Sequence, residues 1–205
     1  LWAWTAPAVF VDAIWQMLGG LGAGVATIVV RQPGDGCSLS LLIKRHGITR
    51  LTLVPTVASL LARTSSSECL SSICWLALSG EPFSLRLACE LRQLLRPECV
   101  LLNIYGSAET TADCTAFEIP SDPTAVRSSL PSLASDFVPL GYPIAGPLGA
   151  FTLKLADDGE ILVGGLGVST AADKDGHVRM GDIGCWAADG ALVFLHRRGR
   201  HAKVG

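Results

Sequence analysis

Ile73-Cys74-Trp75-Leu76-Ala77-Leu78, then Ser84, then Leu87, Leu91, Leu94 and Leu95, then Pro97 and Val100-Leu101-Leu102 form the stretch that decides the fold. A short apolar run bounded by turn residues is the pattern of a buried strand. Ser84 can accept from a free N–H of a first helical turn. Leucines three and four apart give that helix one apolar stripe, and Pro97, which has no N–H, stops it. Strand, helix, strand at this spacing predicts a parallel sheet with crossover helices.

Working upstream, the alternation continues. A helix is expected near 9–21 and a strand at 25–30. Ser38 is placed to cap a helix that runs to about His46 and ends at Gly47. A strand follows over Ile48–Val54, then a helix opened by Pro55 over Thr56–Arg63, then a polar loop at Thr64–Ser67. Downstream the character changes. Residues 120–140 are rich in Ser and Pro and read as a loop. Beyond Gly141 the strands are short: Ala150–Ala156, Glu160–Val163 and Ala191–Leu195. Asp157-Asp158-Gly159 and Asp189-Gly190 supply hairpin turns. The expected class is α/β: an α/β part over 1–119, a loop over 120–140, and a small antiparallel β unit over 141–205.

Composition narrows the function. Of 205 residues, 49% are apolar and 17% charged, which excludes intrinsic disorder. A net charge of −2 gives no footprint for nucleic acid or an anionic membrane. The seven cysteines are odd in number and no pair has the two-residue gap of a zinc or redox motif, so they read as small buried thiols in a reducing cytoplasm. Residues 13–30 carry no charge, long enough for a membrane span. Against a span stand Gln16, four glycines between positions 19 and 24, and the β-branched Thr27-Ile28-Val29-Val30; the reading is helix, Gly turn, strand. The same glycines do not make a dinucleotide fingerprint, because that motif follows a strand and opens a helix. The first residue is Leu1, and both ends read as cut, so the chain is expected to be a fragment.

The chemistry concentrates in NIYGSAETT, residues 103–111. In open α/β sheets ligands bind at the carboxyl ends of strands. Here a strand end delivers an amide, an aromatic ring, hydroxyls and one carboxylate. Tyr105 can stack on a base, Asn103 can hydrogen-bond its edge, and Glu109 is a hard oxygen ligand suited to Mg²⁺ on phosphates. A plain strand-to-helix turn is the competing reading of the same residues.

NIYGSAETT resembles the Tyr-Gly-x-Thr-Glu-Thr-Thr motif of the adenylate-forming superfamily, which contains acyl-CoA synthetases, nonribosomal peptide adenylation domains and luciferases. Other segments resemble that superfamily in order: FVDAIWQMLGGLGAGVATIVV at 10–30, LALSGEPFS at 76–84, GYPIAG at 141–146, GEILVGGLGVS at 159–169, and VRMGDIGCWAADGALVFLHRRGRHAKVG at 178–205. The Phe-Val-Asp variant is most similar to the acyl-CoA synthetase member that includes the β-alanine-activating enzyme. The resemblance implies activation of a carboxylate by ATP to an acyl-adenylate, with pyrophosphate released, and transfer to a thiol of coenzyme A or a carrier-protein phosphopantetheine. It implies Tyr105 as the adenine stack and Asn103 as its edge partner, with Gly106 and Ser107 in the nucleotide-binding turn. Glu109 is implied as the Mg²⁺ ligand, Asp182 as the ribose acceptor and Arg197 as a cation at ribose or phosphate. Glu109 and Arg197 are thus the catalytic candidates. Phe10, Val11, Asp12, Gly80 and Glu81 are implied to line the acid substrate.

The sequence also departs from that pattern. Ala108 replaces the Thr before the metal-binding Glu, Met180 the Thr of Thr-Gly-Asp, Cys185 an Arg, His196 a Gly and Gly199 the hinge Asp. Val11 falls where amino-acid-activating members have Asp, with Asp12 one place later. No Ser/Thr/Gly-rich loop ending in Pro-Lys-Gly occurs; in the superfamily that loop cradles the β- and γ-phosphates. The lysine-bearing C-terminal subdomain is likewise read as missing; Lys203 matches a hinge-side position. These 205 residues are therefore expected to carry the adenine, ribose and metal half of a site, with weak nucleotide binding and no turnover. The alternative is a catalytically silent nucleotide-binding or interaction module of the same ancestry.

Overall fold

A computed structural model describes residues 1–30, 36–129, 136–146 and 149–199. In chain order its elements are β1 (Trp2–Trp4), α1 (Asp12–Gly22), β2 (Thr27–Val29), α2 (Gly36–His46), β3 (Arg50–Leu53), α3 (Pro55–Thr64), α4 (Ser67–Leu70), β4 (Trp75–Leu78), α5 (Leu85–Leu94), β5 (Val100–Ser107), β6 (Ala112–Glu118), β7 (Tyr142–Pro143), β8 (Ala145–Gly146), β9 (Gly149–Ala150), β10 (Thr152–Leu155), β11 (Glu160–Gly164), β12 (His177–Trp186) and β13 (Leu192–Arg197). Single 3₁₀ segments lie at Ala108–Thr110 and Pro123–Ser129.

Seven strands form the main sheet in the order β2-β1-β3-β4-β5-β6-β7. The first five are parallel; β6 and β7 are antiparallel. This is the expected α/β architecture, with the strand-helix-strand unit at its centre. Ser84 caps α5 as read, its Oγ accepting from the Leu87 N–H at 3.2 Å. One face of the sheet buries Leu51, Leu53, Leu76, Leu78 and Leu101 against Leu39 and Ile43 of α2, Leu61 of α3, Leu70 of α4 and Leu91 of α5. On the opposite face α1 lies across Trp2 and Trp75, its Trp15 ring edge-on to both at 6.2–6.3 Å between centroids.

The glycines and the glutamine of α1 have specific packing reasons. A Cβ on Gly20 would fall 2.0 Å from Thr27 Oγ1 and one on Gly19 2.9 Å from the Trp2 ring. The helix therefore gives up propensity in exchange for close contact with β1 and β2. Gln16 is buried, and its Oε1 accepts from the Thr5 and Ala6 N–H groups at 2.9 and 3.0 Å, satisfying the turn after β1. Among the described residues no helix is long and apolar enough to cross a membrane.

Four strands, β10-β11-β12-β13, make the small antiparallel sheet. It packs Ile161, Val163, Val178, Met180 and Leu192 on Cys114, Leu140 and Tyr105, so its core continues into the edge of the main sheet.

Several expectations need correction. Ser38 lies inside α2; the helix opens at Gly36, where a Cβ would meet the Leu60 carbonyl oxygen at 2.6 Å. The loop read over Thr64–Ser67 is narrower than expected: α3 runs to Thr64 and α4 begins at Ser67, a single turn with the Cys69 N–H on the Ser66 carbonyl at 3.0 Å, which leaves Ser65-Ser66 between them. Strands β1, β6 and β12 went unread. β1 has three residues, and β12 has its apolar alternation broken by Gly181 and Gly184. Only Cys99 and Cys114 of the seven thiols are buried, and Cys37 and Cys74 are exposed. The tail from Arg200, including Lys203, lies outside the described residues.

Candidate functional site

The NIYGSAETT segment does not begin past the end of β5; it is the second half of that strand and the turn after it. β5 extends beyond its parallel partner β4, whose register ends at Leu78↔Asn103, and is there held by β6. Gly106 is needed where β6 crosses: a Cβ would sit 1.8 Å from the Ala112 carbonyl oxygen. The following turn is strained, with Thr111 and Ala112 both left-handed (φ 55° and 83°). The loop of GEILVGGLGVS fastens it. Thr111 Oγ1 donates to the Gly167 carbonyl at 2.7 Å, and the Ser169 N–H donates to the Glu109 carbonyl at 2.7 Å.

Asp182 and Arg197 arrive from the small sheet as a directly opposed pair on β12 and β13. Tyr105 O–H donates to Asp182 Oδ2 at 2.9 Å, across 77 residues of sequence. Arg197 Nη1 stands 3.6 Å from Asp182 Oδ1; the carboxylate is buried and the guanidinium 65% exposed, so the cation opens toward solvent. Burial, followed by the adjacent Asp182 charge, pushes the Tyr105 phenol far above its ordinary range, so it stays protonated and remains a donor.

A cleft of about 330 Å³ unites Gly80, Glu81, Asn103, Tyr105, Gly106, Asp182 and Arg197 with Pro82, Ile104, Leu140 and Phe194. Seven of the residues singled out from the sequence thus share one concavity. Asn103 is 3% exposed, and its Nδ2 donates to the Val138 and Pro139 carbonyls at 3.3 and 2.7 Å. Its amide nitrogen is spent on the carbonyls of the 138–139 backbone, which holds the side chain at the cleft wall. Gly80 adopts φ +81°. Glu81 has a structural duty as well: its Oε2 accepts from the Thr56 N–H at 2.8 Å and from Thr56 Oγ1 at 2.6 Å, capping α3.

Glu109 and Ser107 lie beside this cleft, outside its lining. A hydrogen bond from Ser107, then its own backbone N–H and Arg197, hold the exposed Glu109 carboxyl below the usual carboxylate range. No cluster of three or more metal-ligating side chains occurs among the described residues. The Mg²⁺ expectation therefore fits one way: one carboxylate plus substrate phosphates, the mode magnesium prefers. Met180 is 7% exposed in the small-sheet core, its Sδ 4.0 Å from Ser107 Oγ. Where the superfamily pattern has a hydroxyl, this chain has a core methionine.

Phe10 and Val11 precede α1 and Asp12 opens it; none of the three lines the cleft. Phe10 is 59% exposed. Asp12 faces Asp113, a residue not singled out from sequence, whose Oδ1 accepts from Ser79 Oγ at 3.0 Å. Burial first, then the Asp12 charge, raise the Asp113 carboxyl to about 7. Burial likewise raises Asp12. The place of Asp113 opposite Gly106 across β5 and β6 is the signal that could have singled it out.

Residues 1–170 match the family described as AMP-binding enzyme, and the chain belongs to that family. It is 28% identical to indigoidine synthase of Streptomyces lavendulae over 97% of this chain and 17% of that protein. It is also 28% identical to the L-proline–[L-prolyl-carrier protein] ligase of Streptomyces coelicolor, over 93% of this chain and 38% of the relative. The solved structure of IdnL7 superposes with a TM-score of 0.80 at 23% identity, covering 96% of this chain and 42% of the other. The chain thus spans less than half the length of each of these three relatives.

Proposed function

We propose that this chain is the adenine-, ribose- and metal-facing part of an AMP-forming acid–thiol ligase. The single observation that carries this reading is the hydrogen bond from Tyr105 to Asp182, which ties the ring of β5 and the carboxylate of β12 to one cleft with Arg197 at its mouth. The Tyr105 ring is the flat partner for adenine, and Asn103 Oδ1 faces its amino edge. Asp182 has acceptor capacity left for ribose hydroxyls after taking the phenol proton, since each carboxylate oxygen offers two lone-pair sites. Arg197 is the fixed cation for the α-phosphate, where negative charge grows as the acid oxygen attacks phosphorus and the bond to pyrophosphate breaks. Glu109 would hold Mg²⁺ against the phosphates; the ion would supply charge neutralisation there. In the second step a thiol sulfur attacks the acyl carbon and AMP leaves with its electron pair. The acid substrate sits toward Gly80 and Glu81, with Phe10, Val11 and Asp12 on the α1 side.

The acceptor is the pantetheine thiol of coenzyme A or of a carrier protein; the relative named as a carrier-protein ligase supports the latter. Loss of the Thr hydroxyls at Ala108 and Met180 favours the second reading, a nucleotide-binding module without turnover. Calorimetric titration of ATP with Mg²⁺ into the chain tests the nucleotide site common to both. Saturable binding is expected, weakened more than about tenfold by Asp182→Ala. Absence of saturable binding, or an unchanged affinity in the variant, contradicts the site. ATP–pyrophosphate exchange in the full-length protein separates ligase from silent module: exchange above background supports the first.

A further inference from the structure

A buried carboxylate that the proposed chemistry does not use stands directly behind Asp182. Glu160 opens β11, with its side chain 4% exposed. Between Glu160 and Leu162 on β11, the partner strand advances from Ile183 to Arg179, so β12 carries extra residues opposite Ile161. These residues, Met180-Gly181-Asp182, form a bulge. A bulge re-aims side chains and takes backbone groups out of the ladder. The N–H that the bulge displaces, that of Gly181, donates to Glu160 Oε1 at 3.2 Å. The Gly181 carbonyl accepts from the Arg198 N–H at 2.8 Å, and Gly181 itself has φ +71°, a conformation that suits glycine. Glu160 Oε2 pairs with the guanidinium groups of both Arg179 and Arg198. Arg198 is further fixed by Asp158 at 2.9 Å. The consecutive arginines at the end of β13 and just past it are thereby sorted: Arg198 goes to Glu160, and Arg197 goes to Asp182.

From this geometry we infer that Glu160 is a positioning residue of the nucleotide site: it clamps the Gly181 bulge and so aims Asp182 and Arg197 into the cleft. The inference rests on the ribose role proposed for Asp182. It extends that role to a residue that touches no substrate. Both arginine partners are more than half exposed and can be resolvated, so removing Glu160 leaves no buried unpaired cation and the variant is expected to fold.

A double-mutant cycle on AMP affinity tests the inference. Glu160→Ala is expected to weaken AMP about tenfold, the usual scale for a group that orients a ligand-binding residue. In an Asp182→Ala background the same change is expected to cost less than about twofold, because the two residues act as one unit. Glu160→Gln, which keeps the acceptor for Gly181 and loses the arginine pairing, falls between wild type and Glu160→Ala. A loss of equal size in both backgrounds, or none in either, overturns the inference. Ligand-free amide hydrogen exchange keeps it separable from the nucleotide reading. If the wild-type chain binds no AMP, the ribose role fails, while selective acceleration at Gly181 in Glu160→Ala still supports the clamp and unchanged exchange there overturns it.

Discussion

The two sheets reach order by different physics. In the main sheet, β3, β4 and the first half of β5 are apolar runs whose register is set by crossover helices and whose core holds no charge. In the small sheet the register slips at two places, and a buried glutamate gathers two arginines. The rigid sheet provides the ring, the amide and the close-packed glycine. The irregular one provides the carboxylate and the cation. The cleft forms where they meet, and there the Tyr105 ring and the Asp182–Arg197 pair share one concavity.

The largest effect that sharpens this contrast is a core truncation. Leu101→Ala, at a fully buried position between β4 and the helices, is expected to cost about 2–5 kcal/mol, read as a lower urea midpoint. Because the small sheet packs on Tyr105, Cys114 and Leu140, the loss is expected in a single transition followed by both far-UV circular dichroism and tryptophan fluorescence. Two separated transitions would break the picture of one unit.

A smaller effect comes from the Asp113 carboxyl beside Ser79 and Asp12. Asp113 has its folded-state pKa raised to about 7, above the unfolded value near 3.9. The folded state therefore binds more protons between these two values. Stability contributed by the neutral carboxyl is present at low pH and is lost as pH rises toward and through 7. Asp113→Asn is expected to raise Tm above pH 7 by a few degrees, on the order of 2–4 °C for each kcal/mol recovered, and to flatten that part of the pH profile. A Tm difference independent of pH would contradict the assignment. The smallest effect belongs to the surface: Arg86→Ala removes a one-turn pair with Glu90 and is expected to change stability by less than about 0.5 kcal/mol in thermal melts.

How much was legible follows the same division. Apolar runs, the Ser84 cap, Pro55 at the start of α3 and the Asp-Gly turns read directly from sequence, since each acts through a neighbour a few residues away. NIYGSAETT is legible as a polar, Gly-containing strand end, although its strand continues further than an apolar run can show. Three features were not legible. Gln16 and the α1 glycines make sense only against β1 and β2. Asp113 gains its environment from Asp12 and Ser79, remote in sequence. The Gly181 bulge exists because β11 and β12 differ in residue count, and Glu160, present in the GEILVGG segment, has no visible role until that mismatch is seen.

The central claim is that Asp182 receives the ribose of a nucleotide whose base lies on Tyr105. Titration of AMP and of 2′,3′-dideoxy-AMP into the wild-type chain and into Asp182→Ala tests it most directly. The account predicts that wild type prefers AMP by about tenfold or more, one good charge-assisted hydrogen bond, and that the variant binds both ligands alike. A preference that persists in Asp182→Ala, or a wild type that does not distinguish the two, would contradict it.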